Sequence, residues 1–267
     1  MPDARGAASF HVPAEAYDRH VGRYGPALAA ELMKAAEIHP DQRALDVGCG
    51  PGALTRALAD ALGADAVAAV DPSPPFVDAC RHRVPGADVR LGAAEQLPFD
   101  DRRFDAVLSQ LVVNFMADPD LGVSEMCRVA KPGAVVAACT WDYAGGMTLL
   151  RRFWDAALLV DREGASARDE AAVMRYGTPP ELEVLWRDAR LAEVTSGELN
   201  VSARYESFDD LWDPIESGVG PAGAYAVALE PRRRAALRSE LHRLLGSPDG
   251  PFTLPARAWY VTGRVAA

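Results

Sequence analysis

The residues best placed to do chemistry lie in ALDVGCGPGALT, Ala44 to Thr55, where Asp46 stands just before Gly48, Gly50 and Gly52. An apolar run ending at an acidic residue, then closely spaced glycines, then a helical pattern, makes a strand-to-helix turn whose backbone a ligand can approach. A second apolar run ends at Asp71, 21 residues beyond Gly50 (71 − 50), where a carboxylate can meet ribose hydroxyls. Together these features recognise adenosine. NAD, FAD and S-adenosylmethionine all satisfy them, and the glycines alone would also serve a tight turn.

Asp46 narrows the choice. A pyrophosphate at the helix N-terminus would face this carboxylate, whereas an ammonium and a sulfonium would be drawn to it. At about 4 Å and an effective dielectric of about 20, each such pairing is worth roughly 4 kcal/mol, repulsive or attractive, before desolvation. The spacing G-x-G-x-G also departs from the G-x-G-x-x-G of dinucleotide sites, and no G-K-[ST] follows to cradle a phosphate.

The elements that must position these residues alternate along the chain. RALDVG, AVAAVD, ADVRLG, FDAVLS and AVVAAC read as strands, apolar enough to be buried on both faces of a parallel sheet. GALTRALADAL, PPFVDACRHR and LGVSEMCRVA read as crossover helices, with KPG from Lys131 closing the third. Past Cys139, RRFWDAALLV, PELEVLWRDARL and FDDLWDPIESG are helical, as is a long stretch from Tyr225 to Leu245. EVTSGELNVSARY and FTLPARAWYVTGRV alternate as strands. The expected fold is α/β, a doubly wound seven-stranded sheet whose last strand runs antiparallel, with a helical insertion as a lid. GVGPAGAY, Gly218 to Tyr225, is expected to be a mobile connection over a pocket.

Composition excludes several classes. At 267 residues the chain suits one α/β domain, and its net charge of -10 repels nucleic acid and anionic lipid. The RRRAALR run from Arg232 reads as the solvated face of an amphipathic helix. Cys49, Cys80, Cys127 and Cys139 form no C-x-x-C pair, so no metal site is expected and buried free thiols are. MPDARGAASF has no signal-peptide core and no run of eighteen apolar residues occurs, so no membrane partner and a cytoplasmic location are expected.

LDVGCGPG, VDPSPPF, AAEQLPFDDRRFDAVLSQLVVNF and EMCRVAKPG follow one another in a way that resembles class I S-adenosylmethionine-dependent methyltransferases of the methyltransferase-domain type 11 group. The resemblance runs from about Tyr17 to Thr140. It implies a Rossmann-like sheet, S-adenosylmethionine as cofactor and methyl transfer to a small molecule. It also implies a single domain over 1–267: a helical cap at 1–40, a cofactor core at 41–145, and late strands with the insertion at 146–267. Asp46, Gly48 and Gly50 would line the methionine end, and Asp71 would bind the ribose. Pro72 and Phe76 would pack against the adenine, Ala94 would offer it a backbone N–H and Glu95 a carboxylate, and Gln110 would lie beside the sulfonium. Tyr17, and Tyr24 with it, would close over the cofactor. The family's usual aspartate is replaced here by Ala93.

The acceptor should lie outside the carboxyl ends of the fourth and fifth strands, at Asn114, Phe115, Trp141, Asp142 and Tyr143. Asn114 stands where many relatives have histidine. Methyl transfer needs no dedicated base, so no catalytic residue is assigned. His11 and His20 could take a proton, though surface or capping roles fit them better, and His39, His82 and His242 look peripheral. Trp212, Tyr225, Trp259 and Tyr260 read as core first. Two other readings share these features: a dinucleotide-dependent oxidoreductase, and a non-catalytic protein that binds the cofactor or its product.

Overall fold

The computed structural model describes residues 14–266, with side chains from Tyr17 onward; MPDARGAASF and His11 lie outside them. Seven strands form one sheet, β1 (Ala44–Val47), β2 (Val67–Asp71), β3 (Asp88–Leu91), β4 (Phe104–Gln110), β5 (Ala130–Trp141), β6 (Ala192–Tyr205) and β7 (Phe252–Arg264). Their order is β3-β2-β1-β4-β5-β7-β6. The first five are parallel, and β7 slots between β5 and β6, antiparallel to both. Both expectations for the sheet are therefore met.

The central strands are apolar throughout because helices cover both faces. Leu45, Val47, Val107 and Val136 pack with Val123, Met126, Leu182 and Trp186 on one side. Ala44, Ala106, Leu108, Val135 and Ala137 pack with Leu28, Leu32, Leu54 and Leu58 on the other. The period-two alternation thus survives with two apolar faces, and each such buried leucine or valine contributes about 1.5–3 kcal/mol. The Trp186 indole N–H is satisfied too, donating to Val136 O at 3.0 Å. Between β1 and β4, Ser109 Oγ donates to Val47 O at 3.0 Å. The sheet reverses its winding here, and a crevice opens at the strand ends.

Three local expectations are corrected. Lys131 to Gly133 do not close a helix; the helix Pro119–Val129 passes directly into β5, which already includes them. GVGPAGAY is not a loose connection, because helix Gly220–Ala228 starts within it and buries Gly220, Ala222, Gly223 and Tyr225. Small side chains let that segment pack closely rather than move freely. The long stretch to Leu245 is two helices, broken at Leu229 and Glu230 before Pro231 opens Pro231–Leu244. On that second helix Leu237 and Leu241 face inward and Arg232 and Arg233 are exposed as expected, whereas Arg234 is half-buried and donates to the carbonyls of Ala226, Val227 and Leu229.

The amino-terminal cap is tied to the late elements by charge. Arg23 bonds both carboxylate oxygens of Asp210, at 3.0 and 3.1 Å, and the carbonyl of Arg204 at 2.9 Å, over the Tyr205 ring. Such bidentate charge-assisted pairs fix orientation as well as adding energy. Tyr24 is a core residue, not part of a cover: its ring is fully buried, edge-on to Trp141, and its hydroxyl meets that of Tyr205 at 3.2 Å.

Asp142, expected near the acceptor, instead locks the end of β5. It is buried, and its Oδ2 accepts from Gly146 N at 2.9 Å and from Arg257 Nε and Nη2 at 3.0 and 2.7 Å. Removing it would strand Arg257 and open the turn that carries Tyr143. Asp142→Ala is expected to lower unfolding free energy by about 2–3 kcal/mol, seen in urea titration as a lower midpoint with an unchanged slope.

Candidate active site

The glycine turn leaves β1 at Val47. Gly48 N and Cys49 N both donate to Val70 O, at 2.8 and 3.0 Å, and Gly52 N closes back on Cys49 O at 3.0 Å. Gly48 and Gly50 adopt φ of 76° and 52°, the left-handed region that side chains resist. They need glycine for different reasons. A Cβ on Gly48 would lie 2.5 Å from Val112 Cγ2, whereas one on Gly50 would meet nothing within 4 Å. The space beside Gly50 is open, as a ligand cradle requires.

The two motif carboxylates meet at this turn. Asp71 ends β2 and braces it: Oδ2 accepts from Gly50 N and Oδ1 from Ser73 N, each at 2.8 Å. Burial pushes its carboxyl up, and the two N–H groups oppose that. Asp46 is 1% exposed. Its Oδ2 accepts from Thr55 Oγ1 at 2.6 Å, while Oδ1 has no partner among the described residues. Burial raises it to about 7, and the hydroxyl and backbone N–H of Thr55 oppose that. An orphaned buried carboxylate oxygen beneath an open turn is a site for a hydrogen-bond donor or a cation.

Around the turn stand most of the other expected residues. Phe76 is buried and its ring lies 5.5 Å from that of Tyr17, while Pro72 is exposed beside it. Burial and the nearby Asp18 and Asp71 carboxylates push the Tyr17 phenol up. Ala94 is buried. Glu95 is engaged elsewhere: its Oε1 accepts from Ala117 N and Asp118 N at 2.8 and 3.2 Å, steadying the entry to helix Pro119–Val129. Gln110 Nε2 donates to Gly25 O at 3.3 Å, and its buried Oε1 has no partner.

At the ends of β4 and β5, Asn114 Nδ2 donates to the Tyr143 hydroxyl at 2.9 Å, leaving Asn114 Oδ1 buried without a partner. Phe115, Trp141 and Tyr143 line a small cavity together with Tyr17, His20, Leu111, Glu170 and the start of helix Gly220–Ala228. A wider groove between helices Thr148–Val160 and Pro231–Leu244 shares none of these residues. Trp212 and Tyr225 are buried in the core; Trp259 and Tyr260 are half-buried on β7. Among the described residues no group of acidic, histidine and cysteine side chains could hold a metal, and no helix is long and apolar enough to cross a membrane.

Two participants, Thr55 and Glu170, were not read from the sequence, and a third, His20, was read as better suited to the surface or a cap. Thr55 sits in the buried stripe of helix Ala53–Leu62 beside Leu54 and Leu58; a hydroxyl in that apolar stripe was the available signal. His20 is not at the surface but 2% exposed, with Nδ1 unpartnered; burial and Arg23 lower it to about 4. Glu170 is equally buried, and nothing in the periodicity of its segment marked it. The fold also brings Cys49 and Cys80 together, thiol to thiol, which sequence spacing could not reveal.

Asp46 binds a proton in the folded chain over a range where the unfolded chain has lost it, so its contribution falls as pH rises from its ordinary 3.8 to about 7. Thr55→Val removes its donor and pushes it higher. That variant is expected to lose about 1–3 kcal/mol of stability at pH 8 and clearly less at pH 5, measured by urea unfolding at both pH values.

Residues 45–138 match the family model described as a methyltransferase domain. The chain is 31% identical over 160 residues to a malonyl-[acyl-carrier protein] O-methyltransferase of Serratia marcescens, covering 58% of this chain and 62% of that one. It is 38% identical over 125 residues to an uncharacterised methyltransferase of Mycobacterium bovis, covering 47% and 49%. The matches therefore span less than two thirds of these curated relatives. The crystal structure of the YcgJ protein from Bacillus subtilis aligns with a TM-score of 0.56 at 18% identity, over 90% of this chain and 98% of that one; at that identity the likeness is one of fold. Residues 45–138 are therefore a methyltransferase domain by the family match, and the curated relatives agree with it over the part of the chain that they cover.

Proposed function

We propose that the protein transfers a methyl group from S-adenosylmethionine to a small-molecule acceptor. The observation that carries this reading is the buried Oδ1 of Asp46, without a partner among the described residues, at the entry to a turn whose Gly50 has open space beside it. A ligand ammonium would satisfy that oxygen, whereas a dinucleotide pyrophosphate would be repelled by it. The Serratia relative, named as an O-methyltransferase, supports methyl transfer but not a choice of acceptor.

When bound, S-adenosylmethionine supplies an electrophilic methyl group on a sulfonium, so the chain need only bind, orient and exclude water. Asp46 would hold the amino group, with Gly48 and Gly50 admitting the methionine end against the backbone. Asp71 keeps a lone pair on each oxygen beyond its two backbone bonds, and these would accept the ribose hydroxyls. Phe76 and Pro72 would flank the adenine, and Gln110 Oε1 would lie toward the sulfonium. Ala93 supplies no carboxylate and Glu95 Oε1 is taken by Ala117 N and Asp118 N, so the adenine amino group would depend on Glu95 Oε2 and the backbone around Ala94. Asn114, Phe115, Trp141 and Tyr143 would contact the acceptor, and Tyr17 with helix Gly220–Ala228 would exclude water. We further place the enzyme in the cytoplasm as a single domain without a nucleic-acid partner, in keeping with its net charge of -10.

A thermal-shift panel of S-adenosylmethionine, S-adenosylhomocysteine, NAD and ATP tests this reading. At 100 times its dissociation constant a ligand adds about 2.7 kcal/mol, or roughly 5 to 10 °C in midpoint for a chain of this size. The two sulfur ligands are expected to give that shift, and Asp71→Ala to abolish most of it. A shift with NAD and none with either sulfur ligand would overturn the assignment.

A further inference from the structure

The cavity between cap, strand ends and inserted helices has a distinct chemical character. As it stands it measures about 30 Å³, room for roughly one or two waters. Its walls are aromatic and aliphatic, from Tyr17, Phe115, Trp141, Tyr143 and their neighbours; among the described residues its acidic member is Glu170 and no arginine or lysine lines it. Glu170 is 2% exposed, and its Oε2 accepts from Trp154 Nε1 at 2.9 Å. Among the described residues it has no salt-bridge partner; Arg151, whose charge acts on it from a distance, is paired with Asp155 and Asp169 at 2.9 and 2.8 Å. His20 adds a ring nitrogen, Nδ1, that is buried with no partner.

We infer that this cavity selects a small-molecule amine, held by Glu170 and the surrounding aromatic rings with His20 accepting from its N–H, and that it rejects carboxylates and phosphates. The inference rests on the reading of the cavity as the acceptor site. A buried carboxylate with no cation of its own, among aromatic faces, is stabilised by an ammonium through charge pairing and cation–π attraction. An acid placed there would lose its hydration, face Glu170 and meet no compensating charge. Burial raises the Glu170 carboxyl to about 7 in the free protein; an adjacent ammonium restores its ionised form. Entry of an acceptor larger than the cavity displaces part of its wall, which includes the start of helix Gly220–Ala228.

The test is calorimetry on protein saturated with S-adenosylhomocysteine, using phenethylamine and tryptamine against their neutral isosteres, phenethyl alcohol and tryptophol, and their acid counterparts, phenylacetate and indoleacetate. An amine is expected to bind at least about tenfold more tightly than its alcohol, with the acid weaker still, and Glu170→Gln to erase the amine's advantage. Glutamine keeps an acceptor for Trp154, and unchanged S-adenosylhomocysteine affinity certifies the variant's fold. Equal or tighter binding of an alcohol or acid, no binding by either amine, or an unaltered preference in Glu170→Gln overturns the inference while leaving the methyltransferase reading intact. Failure of the unmodified protein to bind S-adenosylhomocysteine refutes both.

Discussion

Two carboxylates held out of water at adjacent strand ends govern this molecule. Asp46 and Asp71 occupy the ends of β1 and β2, and the glycine turn is folded between them. Asp71 satisfies the turn's amide at Gly50 and thereby sets its shape. Asp46, with one oxygen on Thr55 and the other on nothing, is left in electrostatic want. A buried charge that the protein does not compensate is costly, and burial accordingly pushes the Asp46 carboxyl up to about 7. The sheet must be buried on both faces to place these groups so deep, and the positive φ at Gly48 and Gly50 must be tolerated to leave a ligand room beside them.

The rest of the chain builds a second compartment onto the first. The cap reaches across the sheet ends and is clamped to Asp210 by Arg23. β7 enters between β5 and β6, and its Arg257 joins Asp142 in locking the turn that carries Tyr143. Both ties lie far apart in sequence yet converge on the small aromatic cavity. Methyl transfer asks a protein mainly for alignment and exclusion of water, and these constraints supply both without a dedicated proton-transfer residue.

Much of this was legible in the sequence because periodicity reports burial directly. The five parallel strands and the inserted last strand followed from apolar runs and alternation, and the roles suggested for Asp46, Gly50 and Asp71 followed from charge and spacing. What was misread depended on context that periodicity does not carry. Gly218 to Tyr225 has the composition of a loop, but tight packing makes a helix of small residues stable there. Tyr24 shares a motif with Tyr17, yet its hydroxyl is claimed by Tyr205, 181 positions away. Asp142 looked available until the antiparallel β7 delivered Arg257 to it. Glu170 and His20 were invisible as a pair because only the tertiary fold sets them on one cavity wall.

The central claim is that an incompletely compensated Asp46 awaits a cationic ligand group, and proton linkage reads it directly. Calorimetric titration of S-adenosylhomocysteine at pH 7, in buffers of differing ionisation enthalpy, should show a net release of protons on binding, disappearing in Asp46→Asn. Binding with no proton release at any pH from 6 to 8, or with the same release in Asp46→Asn, would contradict the account.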